Sequence, residues 1–128
     1  MLTSLGKYLR TFRIQREELL KDMATSLDVV PAYLSSIENG KRSPTKKLIY
    51  KIIETYDLTD EEIDELNKAF YDTLDEISLD TTYSTAMQKD LCISFARKFN
   101  SLDDKQIEKI KKYWRVAIND NTPNGSTA

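Results

Sequence analysis

Between residues 38 and 47 the chain reads ENGKRSPTKK, and the side chains that could do chemistry gather there. Lys41, Arg42, Lys46 and Lys47 put four cations within seven positions, and Asn39 and Thr45 add hydrogen-bonding groups. No carboxylate follows Glu38 in the run. Such a set holds phosphate oxygens; it does not break covalent bonds. The rest of the chain offers little to a catalyst. It has no histidine, which removes the commonest general base and the commonest zinc ligand. No phosphate-binding glycine loop and no nucleophile with an evident base is present, so no enzyme activity, no catalytic residue, no metal and no cofactor are expected. The carboxylates scattered through residues 59–82 match no calcium-loop spacing. The one cysteine, Cys92, excludes an intrachain disulfide and suits a reducing cytoplasm.

The net charge of −2 conceals an uneven distribution. Residues 1–58 carry ten Lys/Arg against seven Asp/Glu, a net of +3; residues 59–82 carry one Lys against nine acids, a net of −8; residues 83–128 return to +3. A basic head, an acidic middle and a basic end therefore follow one another. No apolar run reaches the length of a membrane span, so no membrane partner is expected, and the N-terminus lacks a signal-peptide core.

The elements that must position the cationic run read as all helical. Leu2, Leu5, Leu9 and Phe12 predict a helix over 2–16. Leu20, Met23, Ala24 and Leu27 predict a short one over 20–26, and the turn 27–29 leads to a third over 31–38. Pro31 fits the first helical turn, and Gly40 is placed to take the left-handed conformation that ends the helix. Thr45 is a candidate N-cap for a fourth helix over 46–56, buried through Leu48, Ile49, Ile52 and Ile53. Thr59 and Glu62 form a capping box that opens a fifth, extending through Phe70 and Leu74 to about residue 76. Lys46 and Lys47 fall in the first turn of the fourth helix, where the macrodipole disfavours cations by roughly 0.3–1 kcal/mol each. A nearby phosphodiester would offset that cost.

Within this frame, residues 5–58 resemble the Cro/C1-type, XRE-like helix-turn-helix family of phage repressors and bacterial regulators. The resemblance rests on Leu9, Arg13, Met23, Ala24, Val29, Tyr33, Leu34, Ser35, Ile37, Glu38, Gly40, Lys41 and Pro44. The run YLSSIENGKRSP is its most specific part, joining a helix face, a helix stop and a basic loop at fixed offsets. The resemblance implies an all-α protein with a five-helix, lambda-repressor-like DNA-binding domain. It places the third helix in the major groove of double-stranded DNA, with Val30, Pro31, Ala32, Ser35 and Ser36 facing bases. Lys21, Asn39, Lys41, Arg42, Thr45, Lys46 and Lys47 become phosphate contacts, and Arg13 with Glu38 becomes a structural ion pair. Two positions depart from the family. Asp28 stands where Gly is frequent, and Leu19 and Leu20 stand where a polar cap and a phosphate-contacting Gln are usual, leaving Lys21 to substitute.

The expected organisation is a DNA-binding domain over 1–77, a linker over 78–86, a helical hairpin over 87–118 and a disordered tail over 119–128. The hairpin is too short to bury its own apolar residues. It either forms a homodimer interface through Leu91, Phe95, Phe99, Ile107, Ile110 and Trp114, or packs back on the first domain. Ser101 and Asp104 are expected to cap its second helix. The favoured function is a cytoplasmic, dimeric transcriptional repressor of phage, mobile-element or bacterial origin acting on a two-fold operator. The alternative is an antitoxin of a toxin–antitoxin pair, or a phage-encoded inhibitor, that autoregulates through the same head. In that reading a protein partner engages the acidic helix or the hairpin.

Overall fold

The computed structural model describes residues 1–119. They form α1 (Ser4–Gln15), α2 (Leu20–Ser26), α3 (Pro31–Glu38), α4 (Lys46–Tyr56), α5 (Asp60–Thr73), α6 (Ala86–Lys98) and α7 (Asp104–Asn119), with a 3₁₀ turn at Phe99–Ser101 and no strand among the described residues. The chain divides after Ser78 into two compact units. No helix among the described residues is long and apolar enough to cross a membrane.

In the first unit, helices α1 to α5 surround one core of Leu5, Leu9, Phe12, Met23, Ala24, Leu27, Leu34, Ile37, Leu48, Ile49, Ile52, Leu58, Leu66, Ala69 and Phe70. Fully burying each Leu, Ile or Phe contributes roughly 1.5–3 kcal/mol, so this cluster dominates the stability of the unit. Three of its five helix starts are marked by threonine. The hydroxyls of Thr3, Thr45 and Thr59 accept from the backbone N–H groups of Gly6 (3.0 Å), Leu48 (3.1 Å) and Glu62 (3.2 Å). The turns into α2 and α3 and out of α4 are tight. Glu17, Asp28 and Asp57 adopt left-handed φ values of 56°, 57° and 49°. Asp tolerates this region better than most residues, which explains how Asp28 serves where glycine is frequent.

The fifth helix stops at Thr73, earlier than the expected residue 76. The Thr73 hydroxyl donates back to the Ala69 carbonyl (2.8 Å) and accepts from the Leu5 N–H (3.0 Å), tying the end of α5 to the start of α1. Leu74 then turns to an extended conformation and packs on the core.

In the second unit, α6 begins at Ala86, the last residue of the stretch read as linker. Thr85 and Gln88 close a reciprocal capping box there, with N–H to side-chain distances of 2.8 and 3.1 Å. The expected Ser101–Asp104 cap is corrected to Asp103–Gln106, whose reciprocal bonds measure 2.8 and 2.9 Å. Ser101 instead lies in the 3₁₀ turn and donates to the Lys98 carbonyl. Helix α7 includes Asn119, the first residue of the expected tail; residues 120–128 lie outside the described residues. Cys92 is half-buried, not fully enclosed. Phe95 and Phe99 meet one helical turn apart in a tilted arrangement, with ring centroids 5.4 Å from each other.

Candidate nucleic-acid interface

The frame of the interface is α2, the turn 27–30 and α3. Ala24 is fully buried and its carbonyl accepts from the Val29 N–H (2.9 Å), so a methyl is what the crossing admits. Pro31 opens α3 and Val30 precedes it in extended conformation. The end of α3 is closed by a Schellman arrangement: the Gly40 N–H bonds to the Ile37 carbonyl (3.2 Å) and the Lys41 N–H to the Ser36 carbonyl (2.9 Å). Gly40 has φ 78°, and a Cβ there would sit 3.1 Å from the Thr3 methyl. Gly40→Ala is therefore expected to lower stability by about 1–2 kcal/mol, since an L side chain is strained in this region. Chemical denaturation of the two proteins measures it.

Arg13 and Glu38 hold the pose of α3 against α1. The guanidinium binds the carboxylate in a fork, with N–O distances of 2.5 and 3.1 Å, and its Nη1 also lies 3.4 Å from the Met23 sulfur. Both side chains are almost wholly buried. A second contact between these helices runs through the backbone. The Glu38 carbonyl accepts from the Thr3 N–H (2.9 Å) and hydroxyl (3.2 Å), and Gly6 lies against it. A Cβ on Gly6 would fall 2.2 Å from that oxygen. Sequence reading passed over Gly6, although a lone glycine inside a helical pattern is a recognisable signal of close approach.

Around this frame the candidate contacts separate into two groups. Val30, Pro31, Ala32, Lys41, Arg42, Thr45, Lys46, Lys47 and Lys21 are exposed. Thr45 accepts the Leu48 N–H as N-cap, which leaves its hydroxyl proton to donate outward. Arg42 lies over the Tyr33 ring, 5.2 Å from its centroid. Ser35, Ser36 and Asn39 are half-buried and locally engaged. The Ser36 hydroxyl donates to the Tyr33 carbonyl (2.7 Å), and the Asn39 amide nitrogen donates to the Ser35 carbonyl (2.9 Å). The Asn39 amide thus serves the helix end. At the head of α2 the missing polar cap is partly replaced, because the Asp22 carboxylate accepts from the Leu19 N–H (2.9 Å) while the Leu19 side chain stays exposed.

Lys7, Arg10 and Arg16 add positive charge to the first helix. All three are exposed, but Arg16 also places its Cζ over the Phe12 ring (3.5 Å to the centroid) and pairs with Glu62 at 2.9 Å. Glu62 accepts the Thr59 N–H (3.0 Å) with its other oxygen. That backbone bond first, and Arg16 second, hold its carboxyl below the ordinary value of 4.5. A depressed carboxylate stabilises the fold above its unfolded pKa and loses that contribution as pH falls through the folded value. The stability difference between the wild type and Glu62→Gln should therefore be largest near neutrality and shrink below about pH 4.5. Urea midpoints across that range test it.

A short helix, a tight turn and a second helix, closed by an exposed cationic loop, define a helix-turn-helix domain of the kind found in DNA-binding regulators. Residues 4–66 match the family model for a helix-turn-helix domain, a model of the XRE-like helix-turn-helix family. No curated protein and no solved structure matches the chain.

Proposed function

We propose that the chain is a sequence-specific transcriptional regulator, a dimeric cytoplasmic repressor of phage, mobile-element or bacterial origin acting on a two-fold operator. The observation that carries this reading is the cationic rim of Lys41, Arg42, Lys46 and Lys47, all exposed in the stretch that follows the end of α3. In this reading α3 enters the major groove, the rim grips the flanking phosphates, and occupancy of the site blocks polymerase. Dimerisation through the second unit is supported by Leu91, Phe95, Phe99, Ile107, Ile110 and Trp114, large side chains left 38–65% exposed. Selection of bound DNA from random duplexes tests the proposal. It should recover a two-fold sequence bound with a steep salt dependence. Lys47→Ala should weaken binding uniformly across sequences and reduce the slope of log affinity against log salt by about 0.9.

The same exposed stripe on α6 and α7, and separately the acidic surface of α5, favour a second reading in which a protein partner is engaged, as by an antitoxin. A purified chain that runs as a stable pair of copies supports the first reading. A monomer that captures a basic partner from its operon supports the second.

A further inference from the structure

We propose that the head of α3 reads thymine methyl groups, with Val30 and Ala32 as the specificity-determining residues. This rests on the DNA-reading function proposed above and names the chemistry that the reading helix selects. The side chains exposed there are an isopropyl group, a pyrrolidine ring and a methyl group: Val30, Pro31 and Ala32. None can donate or accept a hydrogen bond. The serines of α3 are locally engaged. The Ser36 hydroxyl proton is committed to the Tyr33 carbonyl at 2.7 Å, and the Ser35 oxygen lies half-buried 3.4 Å from the Asn39 amide nitrogen.

Val30 is also the wrong residue for stability alone. It occupies the N-cap of α3, is 65% exposed and makes no side-chain cap bond, whereas Thr3, Thr45, Thr59 and Thr85 cap other helices with their hydroxyls. An aliphatic residue at this position forgoes a cap bond and wets its methyls at once. Both deficits are offset if the isopropyl group is buried against an apolar surface when bound. In the major groove the apolar feature of a base edge is the C5 methyl of thymine. The exposed cations Lys41, Arg42, Lys46 and Lys47, which follow α3 in the chain, match the phosphates that flank such a groove.

The test uses the full chain and the duplex enriched from random sequence, with each thymine replaced in turn by deoxyuridine, which lacks only the C5 methyl. We expect replacement of one or more thymines in each half-site to weaken binding about fourfold, the equivalent of one buried methyl. Val30→Ala or Ala32→Ser should abolish the deoxyuridine penalty at one position without changing the thermal unfolding midpoint, since both residues are exposed. An enriched duplex that tolerates deoxyuridine everywhere overturns the inference and leaves the operator reading standing. A penalty that persists in both variants also overturns it, because the methyl is then read elsewhere. Failure to enrich any duplex removes the operator reading and this inference together.

Discussion

Arg13→Ala is expected to cost the first unit about 3–5 kcal/mol, the loss seen when one partner of a buried ion pair is removed. The size follows from what remains. The Glu38 carboxylate is enclosed between α1 and α3, and its two oxygens accept only from the Arg13 guanidinium among the bonds formed by its side chain. Truncation leaves a desolvated charge without a partner, and the Met23 sulfur, which touches the Arg13 guanidinium, has no proton to offer it. DNA affinity should fall with stability, because α3 is held by that pair. A structural role and a direct DNA contact make different forecasts for a double replacement. Arg13→Met combined with Glu38→Leu removes both charges and keeps the volume, a change that is often neutral or stabilising at buried pairs. If the pair only positions α3, the double variant should recover most of the lost stability and most of the lost affinity. Recovery of stability without affinity would place one of the two charges on the DNA. Denaturant titration and binding isotherms on the four proteins form a complete cycle.

The contrast between Arg13 and Arg16 shows where sequence reading has reach. Helical periodicity puts Leu5, Leu9 and Phe12 on one face without help, because burial enforces the spacing. The elements α1 to α4, the left-handed Asp28 and the glycine stop at Gly40 follow from similarly local rules. Arg13 is one residue beyond the apolar stripe, and only the family resemblance joins it to Glu38, twenty-five positions away. Arg16 looks identical in composition and spacing, yet its partners, Phe12 and Glu62, come from its own helix and from α5. Nothing local distinguishes a paired arginine from a solvated one. The same holds for side chains that bond to nearby backbone. Ser36 and Asn39 have the chemistry of DNA contacts, and each also donates to a carbonyl of α3, a local bond that spacing alone does not reveal. The end of α5 was misplaced for a related reason. The pattern of apolar residues continues past Thr73, and what stops the helix is a hydroxyl shared between Ala69 and the start of α1.

Gly6→Ala poses the sharpest conflict between local and tertiary forces. Position 6 is the third residue of α1, where intrinsic preference alone favours alanine over glycine by about 1 kcal/mol. Local reasoning therefore forecasts a more stable protein. The tertiary structure forecasts the opposite. The added Cβ would meet three backbone atoms of Glu38, its carbonyl oxygen at 2.2 Å, its carbonyl carbon at 2.9 Å and its Cα at 3.0 Å. Backbone at a helix end cannot swing aside as the tip of a flexible side chain can, so α1 and α3 must separate. That separation loosens the two bonds from Thr3 to the Glu38 carbonyl and opens the Arg13–Glu38 fork, which depends on the same two helices staying in register. Overpacking of a core typically costs about 1–3 kcal/mol, and the loss of these coupled bonds adds to it, so we expect a net destabilisation of at least about 2 kcal/mol. Lys7→Ala, one residue along on the exposed face, serves as the control and should leave the denaturation midpoint nearly unchanged. A Gly6→Ala protein as stable as the wild type would mean that α1 and α3 do not approach this closely, and would remove the physical basis for treating their contact as the support of the reading helix.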